Sequence, residues 1–195
     1  ETDSRVFTYQ SQAFPGLTIP SWQSPKPDET LSDYARRWSD SIETEQEFCL
    51  GGMSFGGQVA LELAKHLQPK AVFLISANRC YSEIPVSFRL QARIMQSMPD
   101  QSIRSALRSV GLPYLKKLEN LKPEHLESLE QMLEEMDLPF FKWAAKAIAR
   151  WEYQFNPDDF GMPIYQIRGS NDPIIQSQSI EADVMESAKH MLPYT

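Results

Sequence analysis

A pentapeptide in the first third of the chain has the residue types and spacing needed for nucleophilic catalysis. Gly52-Met53-Ser54-Phe55-Gly56 matches the pattern G-x-S-x-G, with an apolar run before it and an amphipathic segment after it. In a tight strand-to-helix turn, glycines on both sides let the backbone pass closely and leave the serine oxygen above the sheet. The motif therefore predicts Ser54 as the nucleophile of a nucleophile elbow, with the Phe55 N–H facing a developing oxyanion. The competing interpretation is a glycine-rich turn with a solvated serine.

A nucleophilic serine needs a base, and the 195-residue chain contains three histidines. His66 lies about three turns along the following helix, so it cannot reach back to Ser54. His125 falls in a glutamate-rich helix, on a face shared with glutamates, and we expect it to be solvated. His190 follows the last strand-like run, where a loop at the carboxyl edge of the sheet would hold it. Elimination therefore predicts His190 as the base.

The base in turn needs an orienting acid, which should follow a strand between the serine and the histidine. Asp172 comes after an apolar run and a glycine turn, Ile167 to Asn171. An aspartate before a proline is more often a simple turn residue, and that alternative stays open here. The other candidate carboxylates are Asp158, Asp159 and Asp183. Of these, Asp159 precedes the strand and would lie at the wrong edge of the sheet.

The elements that must hold these residues indicate an α/β fold with a mostly parallel sheet and flanking helices. Ala71 to Ser76 is a continuous apolar run, as expected of a strand buried on both faces. Helical spacing of apolar residues marks 31–42 and 58–67, so strand, helix and strand form a right-handed crossover unit. The other predicted strands are 17–20, 47–50, 163–167 and 182–185.

A helical insertion follows the strand at 71–76, because strand-like runs vanish from about Tyr81 to Tyr153. Three or four amphipathic helices replace them, divided at Pro99, at Gly111-Leu112-Pro113, at Pro123 and at Pro139. We therefore divide the chain into a core, residues 1–80 and 156–195, and an insertion, residues 81–155. The helix from Phe140 to Trp151 has a basic face and an apolar face. Packing on the core is the interpretation we favour, and a lipid surface is the alternative.

Composition excludes several classes of function. The net charge of −7 and the absence of a clustered Lys/Arg stripe argue against nucleic acid as a partner. No run of about twenty apolar residues predicts a membrane span, and the histidines are too far apart in sequence for a familiar metal motif. Cys49 and Cys80 both fall in apolar runs, so we expect buried free thiols and a cytoplasmic protein.

The run from Phe48 to Leu67, the turn from Arg168 to Asp172 and the late His190 together resemble the α/β-hydrolase superfamily. The order Ser54, Asp172, His190 is the order that this superfamily uses. The resemblance covers about residues 1–80 and 156–195 and makes the insertion a helical cap. It implies a small-molecule acyl substrate held between core and cap, with no metal or organic cofactor.

The resemblance implies a carboxylesterase-like serine hydrolase that cleaves an ester, thioester or related acyl bond through an acyl-enzyme on Ser54. A C–C hydrolase, lyase or acyltransferase with the same triad is one alternative, and a non-catalytic ligand- or protein-binding protein is another. The sequence departs from the family in two places. It shows neither the first strand, whose glycine-rich turn would supply the second oxyanion N–H, nor a helix after His190. The second oxyanion donor is therefore unassigned, and the sequence is similar to an incomplete member of the family.

Overall fold

The structure, a computed structural model, describes residues 3–43, 45–119, 121–175, 183–185 and 187–194. The strands in these ranges are β1 (Leu50–Met53), β2 (Val72–Ile75), β3 (Ile164–Gly169) and β4 (Asp183–Met185). The α-helices are α1 (Thr8–Ala13), α2 (Leu31–Ser39), α3 (Phe55–Ala64), α4 (Val86–Gln96), α5 (Asp100–Ala106), α6 (Leu112–Glu119), α7 (Pro123–Glu135) and α8 (Leu138–Arg150). Short 3₁₀ turns occupy Ser4–Phe7, Tyr81–Glu83, Pro157–Asp159 and Leu192–Tyr194.

The four strands form one parallel sheet in the order β1-β2-β3-β4. Met53 pairs with Ile75, Ile75 with Ile167, and Ile167 with Asp183, so all four strands end at the same edge. The parallel sheet, its helices and the helical insertion after the strand predicted at 71–76 confirm the fold class expected from the sequence. Because carboxyl ends of parallel strands share an edge, the segments that follow β1, β3 and β4 come together there.

The two faces of the sheet are covered differently. Val72 and Leu74 are fully buried on one face, in a core shared with α2 and α3. On the other face, Phe73 and Tyr165 stack with ring centroids 5.3 Å apart and remain partly exposed. Side chains alternate between faces along a strand, so this pattern follows directly from the sequence of β2.

Two predicted strands differ from the structure. The strand expected at 47–50 is displaced: β1 begins at Leu50 and includes Gly51 and Gly52, although glycines commonly end a strand. Its partner β2 supplies the hydrogen bonds that set these limits, and Cys49, which precedes β1, is exposed rather than buried. The strand expected at 17–20 is wrong, because that segment is irregular and no strand of the described sheet pairs with it.

Helix α8 fixes the insertion to the core. Its apolar face is buried, as the helical spacing predicted: Phe140, Ala144, Ala147 and the adjoining Trp151 are each 8% exposed or less. On the same helix, Trp143 donates from Nε1 to the carbonyl oxygen of Glu29 at 2.8 Å, and Lys146 pairs with Asp28 at 2.8 Å. This apolar face is therefore covered by protein. Within the described residues, no helix has both the length and the apolarity to cross a bilayer.

The break predicted at Gly111-Leu112-Pro113 is absent, because the backbone stays helical from α5 through α6. A π-helical turn, Leu107–Gly111, joins the two helices, and the Leu112 N–H reaches back to the carbonyl of Leu107. A proline inside an α-helix clashes with the carbonyl four residues earlier and lacks the N–H to bond it. The wider turn just before Pro113 relieves that conflict without ending the helix.

Replacement of Gly169 by alanine tests how tightly β3 passes the segment that leads to His190. An added Cβ would lie 2.3 Å from the carbonyl oxygen of Ala188. We expect Gly169→Ala to lower the free energy of unfolding by about 3 kcal/mol, measured by urea titration. At Gly161 an added Cβ meets nothing within 4 Å, so Gly161→Ala should change the free energy of unfolding by less than about 1 kcal/mol. Equal effects of the two substitutions would contradict this packing.

Candidate active site

Ser54 occupies a strained position between β1 and α3. Its backbone angles are φ 52° and ψ −120°, a region that residues with a side chain rarely adopt. Such strain costs about 1–3 kcal/mol and persists only where the surroundings enforce it. Here the Ser54 N–H donates to Ile75 at 2.9 Å, and the Ser54 carbonyl accepts from Gly57 at 3.0 Å. The hydroxyl does not cap α3, so the fold leaves it available for chemistry.

Residues 52–57, which we call the serine turn, pass close to neighbouring backbone and side-chain atoms. A Cβ on Gly52 would lie 2.1 Å from the carbonyl oxygen of Gly56, and one on Gly57 would lie 2.4 Å from the Cβ of Ala77. At Gly56 the nearest atom to an added Cβ would be a Trp22 ring carbon at 3.7 Å, an ordinary contact. The room for a Cβ therefore restricts positions 52 and 57 to glycine more strictly than position 56. Position 57 lies outside the G-x-S-x-G pattern.

Asp172 lies in the loop after β3, with its side chain held by the loop backbone. Its Oδ1 accepts hydrogen bonds from the N–H groups of Ile174 at 2.8 Å and Ile175 at 2.9 Å. The Asp172 N–H donates to Gly169 at 3.2 Å, which closes the turn. The residue is 7% exposed, so its carboxylate is fixed and largely shielded from water.

His190 meets Asp172 directly. Its Nδ1 lies 2.9 Å from Oδ2 and 3.2 Å from Oδ1 of the carboxylate, and the histidine is 5% exposed. An ionised carboxylate only accepts, so Nδ1 carries the hydrogen, and Nε2 of the neutral ring keeps its lone pair. Burial alone would raise the pKa of Asp172. The hydrogen bond from His190, the attraction of that ring when it is protonated, and the loop N–H groups together hold the pKa of Asp172 below its ordinary value of 3.8.

The structure brings Asp172 and His190 into contact but does not close the contact with Ser54. In the part of the chain that the structure describes, no hydrogen bond joins the Ser54 hydroxyl to the imidazole. Ser54 and the His190 segment follow β1 and β4, so both lie at the carboxyl edge of the sheet. Resting enzymes often hold a nucleophile and its base loosely and tighten the contact when substrate binds.

Phe55 is the first residue of α3, and the first N–H groups of a helix have no partner within it. Its backbone N–H therefore stands next to Ser54, where the sequence predicts an oxyanion donor. The Phe55 ring packs on Trp22 at 5.9 Å and on Trp143 of the cap at 5.9 Å between ring centroids. Aromatic side chains from the loop before α2 and from α8 thus reach the serine turn.

The other two histidines lie apart from this arrangement. His66 is exposed beyond the end of α3. His125, which we expected to be solvated, is buried: its Nε2 lies 2.9 Å from the hydroxyl of Tyr9, and its ring stacks on Tyr194 at 4.2 Å. Positions 125, 129 and 132 form the buried stripe of α7 and the glutamates of this helix are exposed, so the prediction of a solvated His125 is wrong. That spacing is visible in the sequence.

Two of the three competing carboxylates lie away from His190. Asp158 and Asp159 lie in an exposed turn before β3, where Asp159 accepts from Asn156. Asp183 begins β4. A buried carboxylate next to His190 that the sequence does not mark is Glu119 at the end of α6, which accepts from the backbone N–H groups of residues 190 and 191. No motif or spacing marks Glu119, because this contact spans 71 residues.

Comparison with solved structures identifies the fold of this chain. No protein-family model and no curated protein matches the chain. An esterase from Thermogutta terrifontis superposes with a TM-score of 0.69 at 16% identity, covering 98% of this chain and 80% of the esterase. An esterase from Exiguobacterium antarcticum gives 0.72 at 13% identity, with 96% and 81% covered.

A thioesterase of the prodiginine biosynthetic pathway of Streptomyces coelicolor gives a TM-score of 0.63 at 16% identity. The match covers 100% of this chain and 76% of the thioesterase. Similarity at these identities concerns architecture, since one fold hosts many chemistries. These solved structures share the parallel sheet and flanking helices described above, and this chain has the α/β-hydrolase fold.

Proposed function

We propose that the protein is a serine hydrolase that cleaves an ester, thioester or related acyl bond of a small molecule. The observation that carries the proposal is the buried His190–Asp172 pair at the sheet edge where Ser54 stands at positive φ. In this proposal Ser54 is the nucleophile, His190 the general base and Asp172 the residue that orients the imidazole. The esterases and the thioesterase that share the fold support acyl chemistry.

In the first half of the reaction, Nε2 of His190 takes the proton from Ser54 Oγ as that oxygen attacks the acyl carbonyl. The carbonyl oxygen becomes an oxyanion, which the Phe55 N–H stabilises. The imidazolium then gives its proton to the departing alkoxide or thiolate, which leaves as alcohol or thiol. In the second half, water loses a proton to His190, attacks the acyl-enzyme and releases the acid, and Ser54 regains its proton.

Asp172 contributes through its fixed, ionised carboxylate. It holds the hydrogen on Nδ1 of His190, which keeps the Nε2 lone pair free for the Ser54 proton. It also stabilises the imidazolium that forms in each half of the reaction. The N–H groups of Ile174 and Ile175 compensate part of the cost of burying this charge.

Labelling with a fluorophosphonate probe, followed by intact mass, tests the nucleophile. We expect one adduct on the wild type and none on Ser54→Ala, because the probe reacts with a serine activated by a base. His190→Ala should slow labelling by about 10³-fold or more, since the proton then has no acceptor. Circular dichroism would verify that each variant is folded.

The matched controls replace exposed residues of the same types. Ser21 and His66 are both exposed, and Ser21→Ala and His66→Ala should label as the wild type does. A folded wild type that takes no adduct would refute the hydrolase proposal and favour a binding protein on the same fold. Normal labelling of His190→Ala would refute the role of His190 as base.

Replacement of Asp172 by asparagine tests the orienting acid. We expect hydrolysis of a p-nitrophenyl ester to fall by about 10³-fold or more, because an amide lets the imidazole adopt the wrong tautomer.

Since the pKa of Asp172 is lowered in the folded state, its contribution to stability is present above about pH 4 and is lost as pH falls through that pKa. In urea titrations the stability difference between wild type and Asp172→Asn should therefore narrow on acidification. Asp158→Asn, in an exposed turn, is the control, and a pH-independent difference for Asp172→Asn would contradict the assignment.

A further inference from the structure

Glu119, the last residue of α6, connects the cap to the backbone of the proposed catalytic base. Its Oε1 accepts from the N–H of His190 at 3.2 Å, and its Oε2 accepts from the N–H of Met191 at 3.0 Å. The glutamate is 8% exposed. Both oxygens of one buried carboxylate thus bind two consecutive amides of the segment that carries the imidazole.

Burying the negative charge of Glu119 at this position costs free energy, which its contacts must offset. A buried carboxylate without a cation loses much of its hydration, and the carboxyl end of a helix disfavours negative charge. Among the described residues, no ion pair involves Glu119, whereas the exposed cap glutamates Glu130 and Glu134 pair with Lys116 and Arg108. The two backbone hydrogen bonds are therefore the interactions that offset the burial of Glu119.

Within residues 187–194, no backbone carbonyl accepts from these two amides. A 3₁₀ turn follows at Leu192–Tyr194, in which Leu192 donates to the carbonyl of His190 and Tyr194 donates to that of Met191. That turn takes the carbonyl groups of residues 190 and 191 as acceptors but bonds neither of their N–H groups. Glu119 supplies the missing acceptors, so removing its carboxylate leaves two buried donors unsatisfied.

We propose that Glu119 is a positioning residue for the reaction, an inference that rests on the proposed function. Asp172 of the core holds the imidazole through Nδ1, and Glu119 of the cap holds the backbone of the same residue. The orientation of Nε2 toward Ser54 then depends on both. Since Glu119 belongs to α6, the cap takes part in holding the base in its working position.

Fluorophosphonate labelling of Glu119→Ala and Glu119→Gln in the full chain separates positioning from simple folding. We expect every molecule to be labelled in the end, with a rate constant per site lowered about tenfold or more in Glu119→Ala. Glu119→Gln keeps one acceptor oxygen, so its rate constant should lie between those of Glu119→Ala and the wild type. Glu130→Gln removes a carboxylate from an exposed pair within the same cap, and it should label at the wild-type rate.

A purely structural role gives a different result. A variant that only folds less well would either leave some molecules unlabelled at completion or label more slowly only in proportion to its folded fraction, which urea titration measures. That outcome, or wild-type rates in Glu119→Ala, would overturn this inference and leave the proposed function intact. Turnover of p-nitrophenyl acetate gives a second readout: we expect kcat to fall in Glu119→Ala with KM nearly unchanged, because Glu119 touches the base and not the substrate.

Hydrogen exchange of the backbone amides distinguishes the two possible failures. We expect the amides of His190 and Met191 to exchange faster in Glu119→Ala than in the wild type, since each loses its acceptor. Unchanged exchange would overturn the anchoring itself. Faster exchange together with a wild type that takes no label would refute the hydrolase proposal, and with it the catalytic role of Glu119, while the anchor would stand as a structural contact.

Discussion

The contact between the Gly52 and Gly56 backbones is the constraint on which the candidate site depends. With no side chain at 52, β1 can turn into α3 within a single residue, and Ser54 takes up the change of direction at positive φ. The hydrogen bond to β2 on one side and the burial of α3 on the other hold the strained residue. All of α3 from Gly57 to Ala64 is buried, so the turn cannot relax without disturbing the core. The remaining site residues are arranged around this turn.

Features that depend on local pattern could be predicted from the sequence. The continuous apolar run of β2 and the two faces of α8 follow directly from residue spacing, and they determine the fold class and the helical insertion. The segments that contain Asp172 and His190 could also be located, because whatever follows a parallel strand lies at the carboxyl edge. Neither argument needs a contact between residues far apart in sequence.

Features that depend on tertiary contacts could not be predicted in the same way. The limits of β1 are set by hydrogen bonds to β2, so two glycines that read as a strand end lie inside the strand. The burial of His125 depends on Tyr9 and Tyr194, which come from opposite ends of the chain. Glu119 has no sequence signal, since a single glutamate at a helix end is usually solvated.

The serine turn and the His190 segment are both closely packed, but they are held by different groups. A Cβ added at Gly52 would lie 2.1 Å from the carbonyl oxygen of Gly56, and one at Gly57 would lie 2.4 Å from the Cβ of Ala77. The His190 segment passes Gly169 as closely, and hydrogen bonds add to this packing. That segment is held by the core through Asp172, by the cap through Glu119, and by α1 through Gln10, which donates to Pro193 at 3.1 Å. The position of the proposed base thus depends on three parts of the protein.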